Sequence, residues 1–275
     1  MKHTPLQTLT NAVLSSGKYK SICPDLVTFI GAQQLDRQKN FKAATKATKN
    51  KLHQIGGAYW QRPPDYTGWL KTLQSLYQSA DRQAFADCCQ EIAKHHASSQ
   101  ERLPILNQFY GEIFQRLPPI HSLVDIACGL NPLILPREFL APDVQYFACD
   151  IYQDLTDFLQ QFLALTGMAG GATCCNILQT NPREKIDLAL VLKLLPCLEQ
   201  LEKHSGMALL ERIQSPFIVV SFPMQSLGGK EKGMGTNYSD WFTSQVAEKN
   251  WDIELLQFPT ELVFLVRKGS IQTLG

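Results

Sequence analysis

No stretch of this 275-residue chain approaches the ~20 consecutive apolar residues of a membrane span. Met1–Leu14 carries a single lysine and lacks an apolar core of signal-peptide length. Neither a membrane protein nor a secreted one is expected, and a cytoplasmic location follows. Eight cysteines are present, with adjacent pairs at Cys88-Cys89 and Cys174-Cys175, but none stands in a C-x-x-C or Cys/His spacing that would make a metal centre. Reduced, mostly buried thiols are expected instead. No Ser-His-Asp constellation, internal repeat or low-complexity segment is evident. With 44% hydrophobic residues, the chain can bury one large α/β domain and a smaller one.

The net charge of +1 conceals an asymmetry. Residues 1–60 hold nine Lys/Arg against two Asp/Glu, leaving 17 against 23 for the rest. A basic front end on a mildly acidic body is the footprint of a module that grips a polyanion. Up to residue 116 the periodicity is helical, with segments near 5–15, 24–31, 36–55, 66–79, 81–96 and 101–116 punctuated by Pro63-Pro64 and Pro118-Pro119. In the third segment Phe41, Ala44, Thr48, Leu52 and Ile55 share one face, while Lys39, Lys42, Lys46 and Lys49 share another. Four lysines with no acid at i±4 repel one another, which favours phosphate contact over a merely solvated face. Lys18 and Lys20 extend the patch.

From His121 onward, short apolar runs alternate with helices. Strands are predicted near 121–126, 144–149, 171–176, 186–192, 216–222, 252–257 and 261–267. Such alternation implies a mostly parallel sheet. Only Phe258-Pro259-Thr260 separates the last two strands, too short for a helical crossover, so they should pair as an antiparallel hairpin. The predicted division is a helical, basic portion over 1–116 and a Rossmann-like seven-stranded α/β portion over 117–275.

The first of these strands ends in Asp125-Ile126-Ala127-Cys128-Gly129-Leu130-Asn131-Pro132, and Asp150 closes the next strand 21 positions after Gly129. In an open α/β sheet a small-residue turn of this kind lets backbone approach a nucleotide cofactor while the acid grips ribose hydroxyls. A dinucleotide would need three glycines to seat its pyrophosphate, and only Gly129 is here. S-adenosylmethionine, which has no phosphate, fits the turn better.

Several separated motifs together resemble the aminoglycoside-resistance 16S rRNA guanine-N7 methyltransferases, enzymes that modify a decoding-site guanine. They are Lys51-Leu52-His53-Gln54-Ile55, Pro64-Asp65-Tyr66, the segment His96–Pro104, the loop above, Leu192–Glu199, and Ser221-Phe222-Pro223 running into Ser226–Lys230 and Lys232-Gly233-Met234. The resemblance spans nearly the whole chain. It implies that Tyr66 and the segment His96, Ala97, Ser98, Ser99, Gln100, Glu101 and Arg102 lie against the cofactor, with Arg102 pairing the methionine carboxylate through its planar fork. It further implies that Ala127 lets backbone pass the methionine, that Asp150 accepts the ribose hydroxyls and that Asn176 and Ile177 border the adenine. Leu192 and Lys193 close the site, and Gln200 is a lesser candidate. Many methyltransferases have Gly and Asp where Ala127 and Asn176 stand here. Lys230 and Lys232, in a glycine-rich loop, would hold RNA backbone. The implied partner is 16S rRNA in the assembled 30S subunit, met by a monomer.

Guanine N7 carries a lone pair and no proton, so no general base is required. Positioning alone can contribute roughly 7–11 kcal/mol. Lys193 is therefore expected to orient the base rather than move a proton. Other readings are a methyltransferase acting on a different RNA base and an RNA-binding protein that keeps the fold without the activity. Pro196-Cys197 suggests a cytosine-C5 route through a covalent cysteine adduct, but its neighbours are apolar and the thiol reads as a small hydrophobe.

Overall fold

Small polar residues and prolines set the helix starts. The computed structural model describes residues 4–60, 62–179, 185–224 and 234–269. Thr4 caps α1 (Pro5–Leu14) by accepting the Gln7 N–H while its own N–H donates to Gln7 Oε1, satisfying two donors that a helix start otherwise orphans. Next come α2 (Pro24–Arg37), α3 (Phe41–Leu52), α4 (Tyr66–Gln78), α5 (Arg82–Ala93), α6 (Ala97–Arg102) and α7 (Leu106–Phe114). Asn40, Asp65 and Asp81 cap α3, α4 and α5 through their side chains.

The predicted helix over 36–55 is not one element. Asn40 turns extended and caps a new helix, so the chain breaks at residues 38–40, and after Leu52 it widens into a π turn over His53–Gly57. Conversely, α2 outruns the predicted 24–31. A Cβ at Gly31 would lie 2.8 Å from Leu9 Cδ2, so this glycine, inside α2, lets α1 and α2 touch. Segment 101–116 begins earlier, at Ala97, and is interrupted by a 3₁₀ turn at Leu103–Ile105, where Pro104 lacks the N–H that a continuous helix needs.

The sheet comprises β1 (Ser122–Ile126), β2 (Gln145–Asp150), β3 (Ala169–Cys174), β4 (Leu188–Leu192), β5 (Phe217–Pro223), β6 (Trp251–Gln257) and β7 (Glu261–Lys268), in the order β3-β2-β1-β4-β5-β7-β6. The first five are parallel; β7 runs antiparallel between β5 and β6, giving the predicted terminal hairpin. Helix α8 (Gln153–Leu165) links β2 to β3, α9 (Leu195–Leu201) and α10 (Ser205–Arg212) link β4 to β5, and α11 (Met234–Val246) precedes β6. Side chains alternate between two buried faces, as a pleated strand requires. Leu188, Leu190 and Leu192 join one core with α4, α5, α7 and α8, whereas Ala189 and Val191 join the other with α9, α10 and α11.

Helices α1–α3 form a third core that closes over the carboxyl end of β2. Backbone fixes them there: the Cys23 N–H donates to Ile151 O at 2.8 Å, the Gln153 N–H to Ser21 O at 2.6 Å, and Ile22 bridges Tyr152. All eight cysteines are free thiols. No helix among the described residues is long and apolar enough to cross a membrane.

Candidate functional site

The chain runs outward from β1 to β3 and then returns to β4, so the crossovers diverge between β1 and β4. In such sheets a crevice opens at the carboxyl ends of the strands at this point. Here the crevice is present as a cleft. Ala127 after β1, Asp150 at the end of β2, Ile177 after β3, and Leu192 with Lys193 at the end of β4 all line it. The opposite wall is built from α2, the π turn and the segment just beyond it: Leu26, Ile55, Gly56, Tyr59 and Trp60.

The backbone is bent sharply at both sides of the opening. Ala127 and Lys193 hold φ of 54° and 56°, a region that costs a side-chain-bearing residue of order 1–3 kcal/mol and that clusters at functional sites. Gly129 has φ 52°, and a Cβ on it would fall 2.6 Å from His96 Cε1, so only glycine admits the imidazole against the loop. The His96 ring stacks on Tyr59 with centroids 5.6 Å apart. Burial, with the Arg102 and Lys193 charges beside it, pulls this imidazole down to about 3. Its Nδ1 is buried and has no hydrogen-bond partner.

Asp150 is buried, and its carboxylate accepts the N–H groups of Gly129 at 2.9 Å and Ile151 at 2.7 Å. Burial outweighs these bonds and pushes the carboxyl up to about 6. Tyr66 does not line the cleft; it stacks on Phe158 at 5.3 Å and meets Trp60 and Trp69 edge-on. Ser98 lines the cleft, Ser99 is buried, Gln100 is exposed, and the Ala97 N–H donates to Tyr59 O at 2.9 Å.

Arg102 departs from the expectation most clearly. It is 1% exposed, and its fork meets Glu261 at 2.8 and 2.9 Å and Asn131 Oδ1 at 3.1 Å. A carboxylate from within the protein pairs with it. Burial opposes the guanidinium charge, but Glu261 more than offsets this, and its pKa lies above the ordinary value. Glu261 is fully buried. Desolvation would raise its carboxyl, yet Arg102, Lys193 and the Ser221 hydroxyl, which donates at 2.8 Å, hold it below the usual range. Lys193 reaches the cleft with its ammonium claimed by Glu101 at 2.6 Å and Glu261 at 3.4 Å.

Asn176 also differs from its expected role: its amide closes a turn, accepting the Leu178 N–H and donating to Gln179, while Ile177 and Leu178 face the cleft. Gln200 is exposed on α9 and does not line the cleft, unlike Leu198 and Leu201. Cys197 lies 2.8 Å from the Tyr59 hydroxyl, and burial pushes the thiol up, which disfavours a thiolate nucleophile. Sequence reasoning missed Glu261, the aromatic wall of Tyr59, Trp60 and Tyr152, and a buried network beneath the loop in which Asp125 accepts from Tyr146 and Asn131. Only tertiary contact makes these residues special.

Around Tyr19 the basic residues gather. Lys42, Lys46 and Lys49 line a shallow depression with Tyr19, Phe41 and Asn50. The Lys18 and Lys49 ammonium groups sit 5.9 and 6.0 Å from the Tyr19 ring centroid. Phe41, expected among core residues, is 41% exposed. Lys20 and Lys39 are exposed nearby in sequence; Lys230 and Lys232 lie outside the described residues.

A family model described as ribosomal RNA methyltransferase (FmrO) matches residues 15–265. A protein of Micromonospora rosea named 16S rRNA (guanine(1405)-N(7))-methyltransferase is 36% identical over 262 residues, 94% of this chain and 96% of that protein. The solved structure of the 16S rRNA methylase RmtB superposes with a TM-score of 0.79 at 32% identity, covering 96% of this chain and 98% of that one. That of 16S rRNA methyltransferase RmtF in complex with S-adenosyl-L-homocysteine gives 0.82 at 28% identity, covering 98% and 100%.

Proposed function

The chain belongs to the FmrO family of ribosomal RNA methyltransferases, and from that premise we propose that it transfers the methyl group of S-adenosylmethionine to N7 of guanine 1405 in 16S rRNA. It does so in the cytoplasm, as a monomer on the assembled 30S subunit, and thereby gives aminoglycoside resistance. The observation that carries this reading is the shared wall of the cleft. Leu26, Ile55 and Tyr59 enclose the pocket that Asp150 serves, and the same helical assembly presents Lys42, Lys46 and Lys49 to solvent. Polyanion contact and pocket are built on one support.

The residues fit the donor. Asp150 is a buried acceptor for ribose hydroxyls, Ile177 and Leu178 offer apolar flanks for adenine, and the bent backbone at Ala127 admits the amino-acid end. When bound, S-adenosylmethionine supplies an electrophilic methyl on a cationic sulfur. The protein's task is to hold the base nitrogen in line and exclude water, because N7 needs no proton removed. Lys193, already paired with two carboxylates, positions the β4 end of the cleft and orients the base. In this division of labour residues 1–116 dock on the rRNA and wall one side of the cleft, and 117–275 supply its other side with Ala127, Asp150 and Ile177. N7 in an RNA helix is poorly accessible, so the target guanine is taken up distorted or flipped.

The test is incubation of 30S subunits with purified protein and methyl-labelled donor, then mapping through reduction, aniline cleavage and primer extension. A stop at guanine 1405 is expected. Unlabelled subunits alongside normal donor binding would overturn the assignment.

A further inference from the structure

With the donor along Ile177 after β3, Asp150 on β2 and Ala127 after β1, the strand order leaves the β4 end of the cleft for the base. Lys193 stands there, and Glu101 on α6 meets it: the ammonium donates to Glu101 Oε2 at 2.6 Å. Resting on the proposed methyl transfer, we infer that Glu101 reads the target guanine by accepting its N1–H and its N2 amino group, while Lys193 faces the neighbouring O6. N7 lies on the other side of O6 and is left free to face the methyl.

The pair is asymmetric. Lys193 is 4% exposed but Glu101 is 35% exposed, and among the described residues only Lys193 bonds to the Glu101 carboxylate. Lys193 also has Glu261 at 3.4 Å, so its charge is answered without Glu101. Burial, then Cys197 and the Glu101 charge beside it, hold the Tyr59 hydroxyl above its ordinary value, which places this carboxylate against a side chain of the cleft wall. An ammonium next to a carboxylate matches guanine, whose O6 accepts where N1–H and the N2 amino group donate. Adenine would set its amino group against the ammonium and its bare N1 against the carboxylate. During transfer the N7 lone pair forms the new C–N bond, the C–S bond breaks with its electron pair kept by sulfur, and no proton leaves the base. The purine gains positive charge, its N1–H and amino group become stronger donors, and their bonds to a carboxylate tighten in the transition state.

Glu101→Gln keeps the shape and removes the charge. With methyl-labelled donor and 30S subunits its kcat should fall about ten- to a hundredfold, while KM for subunits and calorimetric affinity for S-adenosylhomocysteine stay within about twofold. Subunits rebuilt with inosine at the target position, which lacks only the N2 amino group, give a readout that a structural role would not move. The unsubstituted protein should use them about tenfold less well than guanine subunits, and Glu101→Ala, which can accept neither bond, should treat the two alike. The inference is overturned by a Glu101→Gln loss that appears in KM or in S-adenosylhomocysteine affinity instead, by a guanine preference that survives Glu101→Ala, or by an unsubstituted protein that does not distinguish the two substrates. An unsubstituted protein that labels no subunits at all is a different result: it removes the functional reading itself, and this inference with it.

Discussion

Asp150 and Glu261 are both buried carboxylates, yet their surroundings drive them in opposite directions. Burial holds Asp150 near 6, above an ordinary value of 3.8. The native state thus binds this proton more tightly than the unfolded chain, so the group favours folding below 3.8 and that contribution is lost as pH rises through about 6. On the proposed reading, in which Asp150 accepts the ribose hydroxyls, donor binding uses the charged form and follows the opposite course. Affinity for S-adenosylhomocysteine, measured by calorimetry from pH 5 to pH 8, should climb through about pH 6 and then level, and Asp150→Asn should flatten the profile. Glu261 is ionised because two cations lean on it. Its removal strands the fully buried Arg102, so Glu261→Leu should cost about 3–5 kcal/mol in urea unfolding. Asp150 was legible in the sequence because its strand-end position has a recurrent meaning. Glu261, at the start of an apolar strand, gave no such signal, since its role exists only where β7 meets β5 and α6.

Helix α3 shows both what periodicity conveys and what it omits. The buried stripe of Ala44, Thr48 and Leu52 and the lysine stripe appear where a 3.6-residue period puts them. The ends were not legible: Asn40 breaks one by side-chain capping, and the π turn over His53–Gly57 delivers Ile55 and Gly56 into the cleft. Hydrophobic spacing counts residues per turn and is blind to such local bonds. Replacing Lys42, Lys46 and Lys49 with Ala should weaken 30S binding and reduce the slope of log affinity against log salt by about 2–3. Affinity for S-adenosylhomocysteine should stay within twofold, as filter binding and calorimetry on the same preparation would establish.

Across the molecule, strand number, sequence and the closing hairpin were all readable, because central strands such as β4 and β5 are short apolar runs bounded by turn residues. The docking of α1–α3 against the end of β2 was not, since Ser21, Ile22 and Cys23 form backbone bonds that no side-chain pattern encodes. This packing makes the basic front end part of the pocket. Deleting residues 1–60 would strip Leu26, Ile55 and Tyr59 from the cleft and bare Ile151 and Leu201. The remaining chain should show no calorimetric binding of S-adenosylhomocysteine, and a retained affinity would mean that the sheet holds the donor alone.

The left-handed backbone at Ala127 carries one more implication. A methyl group there forgoes the comfort that glycine would bring to the same bend, about 1 kcal/mol by the usual penalty. What the alanine preserves is stiffness: with fewer conformations open to it, the turn at the cleft starts closer to one fixed shape, and thermal robustness is what the chain has traded for that readiness.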